Sequence, residues 1–206
     1  MTVEIIQHGM MRTGTSVTRA SLEANYPIVS HVHRYGWKHG GVPLRDYPAR
    51  VVVSVRHPLS WLASMHRFGS ATTDLIPDFE KWILWKPRRH RGGDLTELHC
   101  WSFCYGYWLA RVPDALVVRF EDMLTRPRET CDCVAAELGL PPCGAGFAVP
   151  EKYVSARAQN RTDGYADIVK REIVDRVYMD AYTPEMIAHV RARLDPLLLE
   201  RFGYDC

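Results

Sequence analysis

The stretch VEIIQHGMMRTGTSV, residues 3–17, contains the pattern that decides the fold of this chain. Its first part is a short apolar run, which predicts a buried strand that ends in a turn at Gly9. A helix is expected to follow from Thr15 to about Tyr26. A strand, a glycine turn and a helix in this order are typical of the first unit of an α/β sheet.

Two later stretches predict further strands of the same kind. RVVVSVRHP, residues 50–58, contains four valines in a nearly continuous apolar run, and ALVVRFED, residues 115–122, is similar. Such runs indicate strands that are buried on both faces, as in a parallel sheet. Residues 28–32 supply another possible strand. We therefore expect an α/β fold with three layers, a doubly wound, mainly parallel sheet and a phosphate-binding turn of P-loop type.

Proline and glycine mark the predicted helix boundaries. Pro58 fits the first turn of a helix over 59–68 that Gly69 ends, and a second helix is expected to run from Pro127 to Gly139. The sequence TPE, residues 183–185, signals the last helix. Pro196 is expected to break or kink this helix, and Gly203 to end it.

Composition limits the possible functions of the chain. With 206 residues and 47% hydrophobic residues, a single domain is the expected arrangement. A net charge of +2 is too small to indicate a nucleic-acid-binding protein. The six cysteines lack the paired spacing of a zinc site and are interpreted as reduced thiols, which favours a cytoplasmic location. No apolar run is long enough to predict a membrane span, and the oligomeric state is unknown.

The turn between the first strand and the first helix has the geometry of an anion-binding site. Gly9 and Gly14 are spaced like the two glycines of a P-loop, but Thr15 stands where the P-loop lysine is expected. Backbone N–H groups and a helix N-terminus bind anions without a particular side chain. Arg12 is the nearest cation, and Thr13, Thr15 and Ser16 add hydroxyl donors. The alternative interpretation is an ordinary strand–helix turn that needs its glycines for their dihedral angles.

Several stretches together resemble the sulfotransferases that use 3′-phosphoadenosine 5′-phosphosulfate (PAPS). MMRTGTS resembles the loop of that family that binds the 5′-phosphosulfate. VVVSVRHPLSWLASMHRF resembles its 3′-phosphate motif, with Arg56, Pro58 and Ser64 at the family spacing. The stretch from LVVRFED to AAELGL and the ending LLLERFGYD are also similar to the family.

The resemblance implies that PAPS is the co-substrate and that no metal is required. The residues that it implies for PAPS binding are Met11, Arg12, Thr13, Gly14, Thr15, Ser16, Arg56, Ser64 and Phe120. The chain departs from the family pattern at Met11, where proline is common, and at Phe120, where tyrosine is usual. The C-terminal nucleotide loop of the family is not clearly present. A third phosphate contact from Arg157, Arg161 or Lys170 therefore stays open.

Transfer of a sulfuryl group to an alcohol needs a base that accepts the proton of the acceptor. In the family this base commonly follows the second strand, where His39 is preferred here and His33 is the second choice. Lys38 would neutralise charge on the bridging oxygen or the sulfonate, and Arg12 would stabilise the departing phosphate. Residues 70–113 hold several tryptophans and a basic loop, and they are expected to form a helical cap that recognises the acceptor.

The sequence leaves the acceptor and two other functions open. The acceptor would be a hydroxyl or an amine of a small molecule or a carbohydrate. A P-loop kinase that uses ATP and Mg²⁺ is one alternative, with Glu121 and Asp122 as metal ligands, although the absent lysine argues against it. The resemblance instead implies that these two carboxylates are structural. A nucleotide-binding module without catalytic activity is the other alternative.

Overall fold

A computed structural model of the chain describes residues 2–31, 49–70, 78–84, 97–150 and 165–205. Within these ranges the sheet has four parallel strands in the order β2-β1-β3-β4. The strands are β1 (Val3–Gly9), β2 (Ile28–His31), β3 (Arg50–Val55) and β4 (Leu116–Arg119). The predictions of an α/β fold and of a parallel sheet are therefore confirmed.

Helical segments connect and follow these strands. They are α1 (Thr15–Asn25), α2 (Pro58–Ser70), α3 (Phe79–Leu84), α4 (Glu97–Arg111), α5 (Phe120–Thr125), α6 (Pro127–Glu137), α7 (Tyr165–Val169), a π-helix (Lys170–Val174), a 3₁₀-helix (Val177–Ala181), α8 (Pro184–Arg191) and α9 (Pro196–Phe202). The π-helix continues directly from α7, so the two form one helical segment with a change in winding.

Two hydrophobic clusters lie on opposite faces of the sheet. Val51, Val53 and Val55 belong to one cluster, whereas their neighbour Val52 belongs to the other, as the alternation of side chains along a strand requires. The first cluster includes residues of α2, α4, α8 and α9, and the second includes residues of α1, α5 and α6. Helices on both faces are compatible with three layers.

Residues 70–113 were expected to form a cap, and the tryptophans of this segment that the structure describes pack in the interior. Trp82, Trp101 and Trp108 are all nearly inaccessible to solvent and belong to the first cluster. Trp101 also donates from Nε1 to the Arg56 carbonyl at 3.3 Å. These three side chains therefore stabilise the fold, whereas Trp85 lies outside the described residues.

Some element boundaries differ from the prediction. The strand expected over 115–122 ends at Arg119, and Phe120 begins α5, so the acidic residues of the stretch lie in the first helical turn. Negative charge is favourable there because of the helix dipole. α2 continues through Gly69 to Ser70. Pro196 does break the last helix, since it begins α9 after Asp195, whose side chain accepts from the Leu197 N–H.

A histidine beside the C-terminal tail makes stability depend on pH. The imidazole Nε2 of His57 lies 3.0 Å from the Asp205 carbonyl, and the edge of the ring meets Tyr204. Burial lowers the pKa of His57 below its ordinary value of 6.5. The folded state therefore favours neutral His57, and this contribution is present above pH 6.5 and lost as the pH falls below it.

We expect the melting temperature to fall between pH 7.5 and pH 5.5, and to fall less in His57→Asn than in the parent. Thermal denaturation of both proteins across this range checks the prediction. If the melting temperature of His57→Asn depends on pH as strongly as that of the parent, groups other than His57 cause the dependence.

Candidate anion-binding site

Two glycines let the backbone between β1 and α1 pack closely against its neighbours. Gly14 precedes α1 with φ +85°, and a Cβ placed on it would lie 2.4 Å from Phe120 Cδ2. A Cβ on Gly9 would lie 2.9 Å from the Ser54 carbonyl oxygen and closer still to two threonine side chains. Because Gly14 has no side chain, it offers no side-chain acceptor to the first N–H groups of α1. Both positions of the turn therefore require glycine.

The conformation of the turn is held by contacts from Arg56, which directly follows β3, and from α2. Arg12 has a left-handed backbone with φ 68°, which is uncommon for a residue other than glycine. Its carbonyl oxygen accepts from Arg56 Nη1 at 3.0 Å, and the Met11 carbonyl accepts from Trp61 Nε1 at 2.8 Å. The Arg12 side chain donates from Nε to Ser64 Oγ at 3.2 Å. These bonds place the backbone and the guanidinium of Arg12 beside the stretch over residues 51–68, which contains Arg56 and Ser64. We call this stretch the second motif.

The hydroxyl groups of the turn have different environments. Thr13 donates from Oγ1 to the Met10 carbonyl at 2.7 Å and is fully buried, so it stabilises the turn itself. Thr15 is also buried, whereas Ser16 is exposed. Of the three predicted hydroxyl donors, Ser16 is therefore the one at the surface.

The second motif contains a buried arginine. Arg56 is only 4% exposed, and its guanidinium lies 4.5 Å from the centre of the Phe120 ring. Besides the Arg12 carbonyl, its donors reach Ser60 Oγ at 2.8 Å and the carboxylate of Glu172. Burial lowers the pKa of the Arg56 guanidinium, and the negative charge of Glu172 opposes that shift. Arg56 thus lies beneath the turn and connects it to the π-helix.

Glu172 lies at the centre of a group of three arginines, which we call the arginine cluster: Arg56, Arg67 and Arg171. Its carboxylate accepts from Arg67 at 3.2 Å and from Arg171 at 3.1 Å, in addition to Arg56. The Ser60 hydroxyl donates to the same carboxylate at 3.1 Å. Burial alone would raise the pKa of Glu172, but the three arginines hold it below its ordinary value. The Glu172 carboxylate is therefore charged in the folded protein.

The sequence analysis did not identify Arg67, Arg171 or Glu172. One signal was present for Arg67, because Ser60, Ser64 and Arg67 follow one another at helical spacing and lie on one face of α2. The segment of Glu172 was considered only through Lys170, which is the first residue of the π-helix. No local pattern relates Glu172 to a motif that lies more than one hundred residues earlier.

The structure brings together the stretches that were predicted to bind the nucleotide, whereas the predicted bases lie outside the described residues. The turn that holds Arg12, Arg56 with Ser64, and the Phe120 ring below Gly14 form one continuous region. His33, Lys38, His39, Arg157 and Arg161 lie outside the described residues.

The two carboxylates considered as metal ligands take part in structural contacts. The two oxygens of Glu121 accept from the His57 N–H at 2.9 Å and from the Tyr204 hydroxyl at 2.8 Å. Asp122 pairs with Arg126 at 3.0 Å. Among the residues that the structure describes, no group of three or more His, Cys, Asp or Glu side chains is arranged to hold a metal ion. In the same part of the chain, no helix is long and apolar enough to span a membrane.

Comparison of the chain with models of protein families, with curated proteins and with solved structures found no match.

Proposed function

We propose that this protein is a PAPS-dependent sulfotransferase that transfers a sulfuryl group to a hydroxyl or an amine of a small-molecule or carbohydrate acceptor. The observation that carries the proposal is the pair of contacts between the two motifs. Arg12 reaches Ser64 at 3.2 Å, and Arg56 reaches the Arg12 carbonyl at 3.0 Å. A donor with a phosphosulfate at one end and a phosphate at the other requires two cationic regions on one edge of the sheet.

In this proposal the first strand–helix turn binds the 5′-phosphosulfate. The N–H groups of the turn and the N-terminus of α1 would hold its oxygens, and Arg12 would stabilise the charge that develops on the departing phosphate. The proposal also includes a doubly wound, three-layer sheet with a phosphate-binding turn of P-loop type. A sulfuryl group carries less charge than a phosphoryl group, so its transfer has less need of a divalent metal.

The 3′-phosphate would bind at the other end of this region. The resemblance implies Arg56 and Ser64, and we include Arg67 and Arg171 because they lie beside Arg56 around Glu172 and their side chains are 39% and 34% exposed. Phe120 is 6% exposed and packs under Gly14, so its role in the proposal is to support the turn. The acceptor oxygen or nitrogen would attack sulfur in line with the departing phosphate. His39 or His33 would accept the proton, with Lys38 as the second cation.

Binding of adenosine 3′,5′-bisphosphate, the nucleotide product of the reaction, tests the proposed donor. We expect it to raise the melting temperature without added metal, and to do so more than ATP with or without Mg²⁺. A larger effect of ATP with Mg²⁺ would favour the kinase alternative. Release of labelled bisphosphate from PAPS in the presence of acceptor mixtures then distinguishes an enzyme from a binding module.

Replacement of Arg12 by glutamine is expected to weaken binding of the bisphosphate by about 10- to 100-fold, because a charged hydrogen bond to phosphate contributes about 1.5–3 kcal/mol. Isothermal titration calorimetry gives the dissociation constant. Arg19→Gln is the matched control, since Arg19 lies on α1 in an exposed pair with Glu23. Equal affinities of the parent and Arg12→Gln would remove Arg12 from the proposed site.

A further inference from the structure

Glu172 occupies the place among the arginines that an anionic ligand would need. Its two carboxylate oxygens accept from Arg56, Ser60, Arg67 and Arg171, all within 3.2 Å. Several charged donors on one oxyanion are also the contacts that proteins make with phosphate. Glu172 is 5% exposed and Arg56 is 4% exposed, so a ligand cannot share Arg56 while the carboxylate stays where it is.

The charges of the arginine cluster favour an anion that carries more than one negative charge. Three guanidinium groups surround the single carboxylate of Glu172. A phosphate monoester carries about −1.5 to −2 charges near pH 7, so it neutralises the guanidinium groups more completely than one carboxylate does. Arg12 brings a further positive charge to the same region, because its Nε donates to Ser64 Oγ on α2.

The segment that carries Glu172 has a backbone conformation that proteins use sparingly. Lys170–Val174 is a π-helix, and π-helical turns occur frequently at functional sites. The π-helix ends at Val174, and two residues later Arg176 has a left-handed backbone with φ 45°. Val174 is 70% exposed, whereas Ile173 packs against the second hydrophobic cluster. Glu172 attaches the π-helix to Arg56 and, through Ser60 and Arg67, to α2.

We propose that Glu172 is an internal competing anion: it holds the arginine cluster in the ligand-free protein and is displaced by a phosphate group of the bound nucleotide. This inference rests on the proposed function, because it assigns the cluster to the 3′-phosphate. It makes Glu172 a residue that sets nucleotide affinity without touching the reacting atoms. Its return to the arginines also favours release of the product.

Glu172→Gln tests this inference because glutamine keeps the size and one acceptor but removes the charge. We expect the variant to bind adenosine 3′,5′-bisphosphate about tenfold more tightly than the parent by calorimetry. Unchanged or weaker binding would overturn the inference, since Glu172 would then be a permanent anchor of the arginines. Glu129→Gln is the control for net charge, because Glu129 is 71% exposed in its pair with Arg126. Its affinity should equal that of the parent.

Two further measurements keep the inference testable. If Glu172→Gln does not fold, Glu172→Asp keeps the charge on a shorter side chain that reaches fewer arginines, and it should also bind more tightly than the parent. If the parent does not bind the bisphosphate, the proposed function fails, and inorganic phosphate becomes the probe. Phosphate should then raise the melting temperature of Glu172→Gln more than that of the parent, and equal shifts would overturn displacement.

Discussion

Replacement of Gly14 by alanine should destabilise the folded protein by about 3 kcal/mol, because two unfavourable effects combine. The backbone at Gly14 has φ +85°, which a residue with a Cβ rarely adopts. The new Cβ would also lie 2.4 Å from Phe120 Cδ2, so the buried ring or the turn must move. Because the turn lies at the N-terminus of α1, the same movement should abolish binding of the bisphosphate. Chemical denaturation gives the change in the free energy of unfolding.

Two other glycines serve as controls for this prediction. A Cβ on Gly144 or Gly146 meets no atom within 4 Å, and neither has positive φ, so alanine there should change stability by about 0.5 kcal/mol or less. A second substitution, Phe120→Leu, should remove part of the penalty of Gly14→Ala, because the two side chains conflict directly. A loss at Gly14 no larger than at Gly144 would show that the turn is not packed against Phe120.

Replacement of Arg56 by alanine should destabilise the protein by about 3–5 kcal/mol, as is typical when one partner of a buried ion pair is removed. Glu172 would keep Arg67 and Arg171 but lose its buried partner. The Arg12 carbonyl would lose its donor at the same time. The loss should therefore affect both the attachment of the π-helix and the conformation of the turn, and chemical denaturation measures it.

Arg50→Ala is the control variant, because it removes an arginine from an exposed ion pair instead of a buried one. Arg50 lies at the other end of β3, where its side chain is 41% exposed and pairs with Asp114 at 3.4 Å. Exposed pairs contribute about 0–1 kcal/mol, so this variant should remain close to the parent. Equal losses for the two variants would contradict the buried pair with Glu172.

The effect of Arg56→Ala should also depend on pH. Arginine charges hold the pKa of Glu172 below its ordinary value of 4.5, so the stability from this pair is fully present above pH 4.5 and is lost as the pH falls through the lower folded value. The difference between parent and variant should therefore shrink in acid.

Local patterns of the sequence predict the part of the fold that surrounds the turn. The apolar run before Gly9, the valines of β3 and the prolines at helix starts indicate strands and helices through contacts close in sequence. The spacing of Arg56 and Ser64 identifies the second motif, and the turn lies beside it in the structure. Phe120 shows the limit of such patterns, because an apolar residue at the end of a strand is equally suited to the first position of a helix.

The long-range contacts of the site could not be predicted in this way. Glu172 and Arg56 are separated by 116 positions, and no residue near Glu172 marks it as the partner of a buried arginine. The burial of Arg56 under the turn depends on Phe120 and α2 together. Sequence spacing therefore identified residues near the proposed nucleotide, but not how their charges are balanced.

A crystal structure of the protein with adenosine 3′,5′-bisphosphate tests the central claim most directly, namely that the turn at Arg12 and the arginine cluster bind the two ends of one nucleotide. The claim predicts the 5′-phosphate at the N-terminus of α1 beside Arg12. It also predicts the 3′-phosphate at Ser64 and the arginine cluster, with Glu172 moved away. A nucleotide bound elsewhere, or bound with only one phosphate in these two regions, would contradict it.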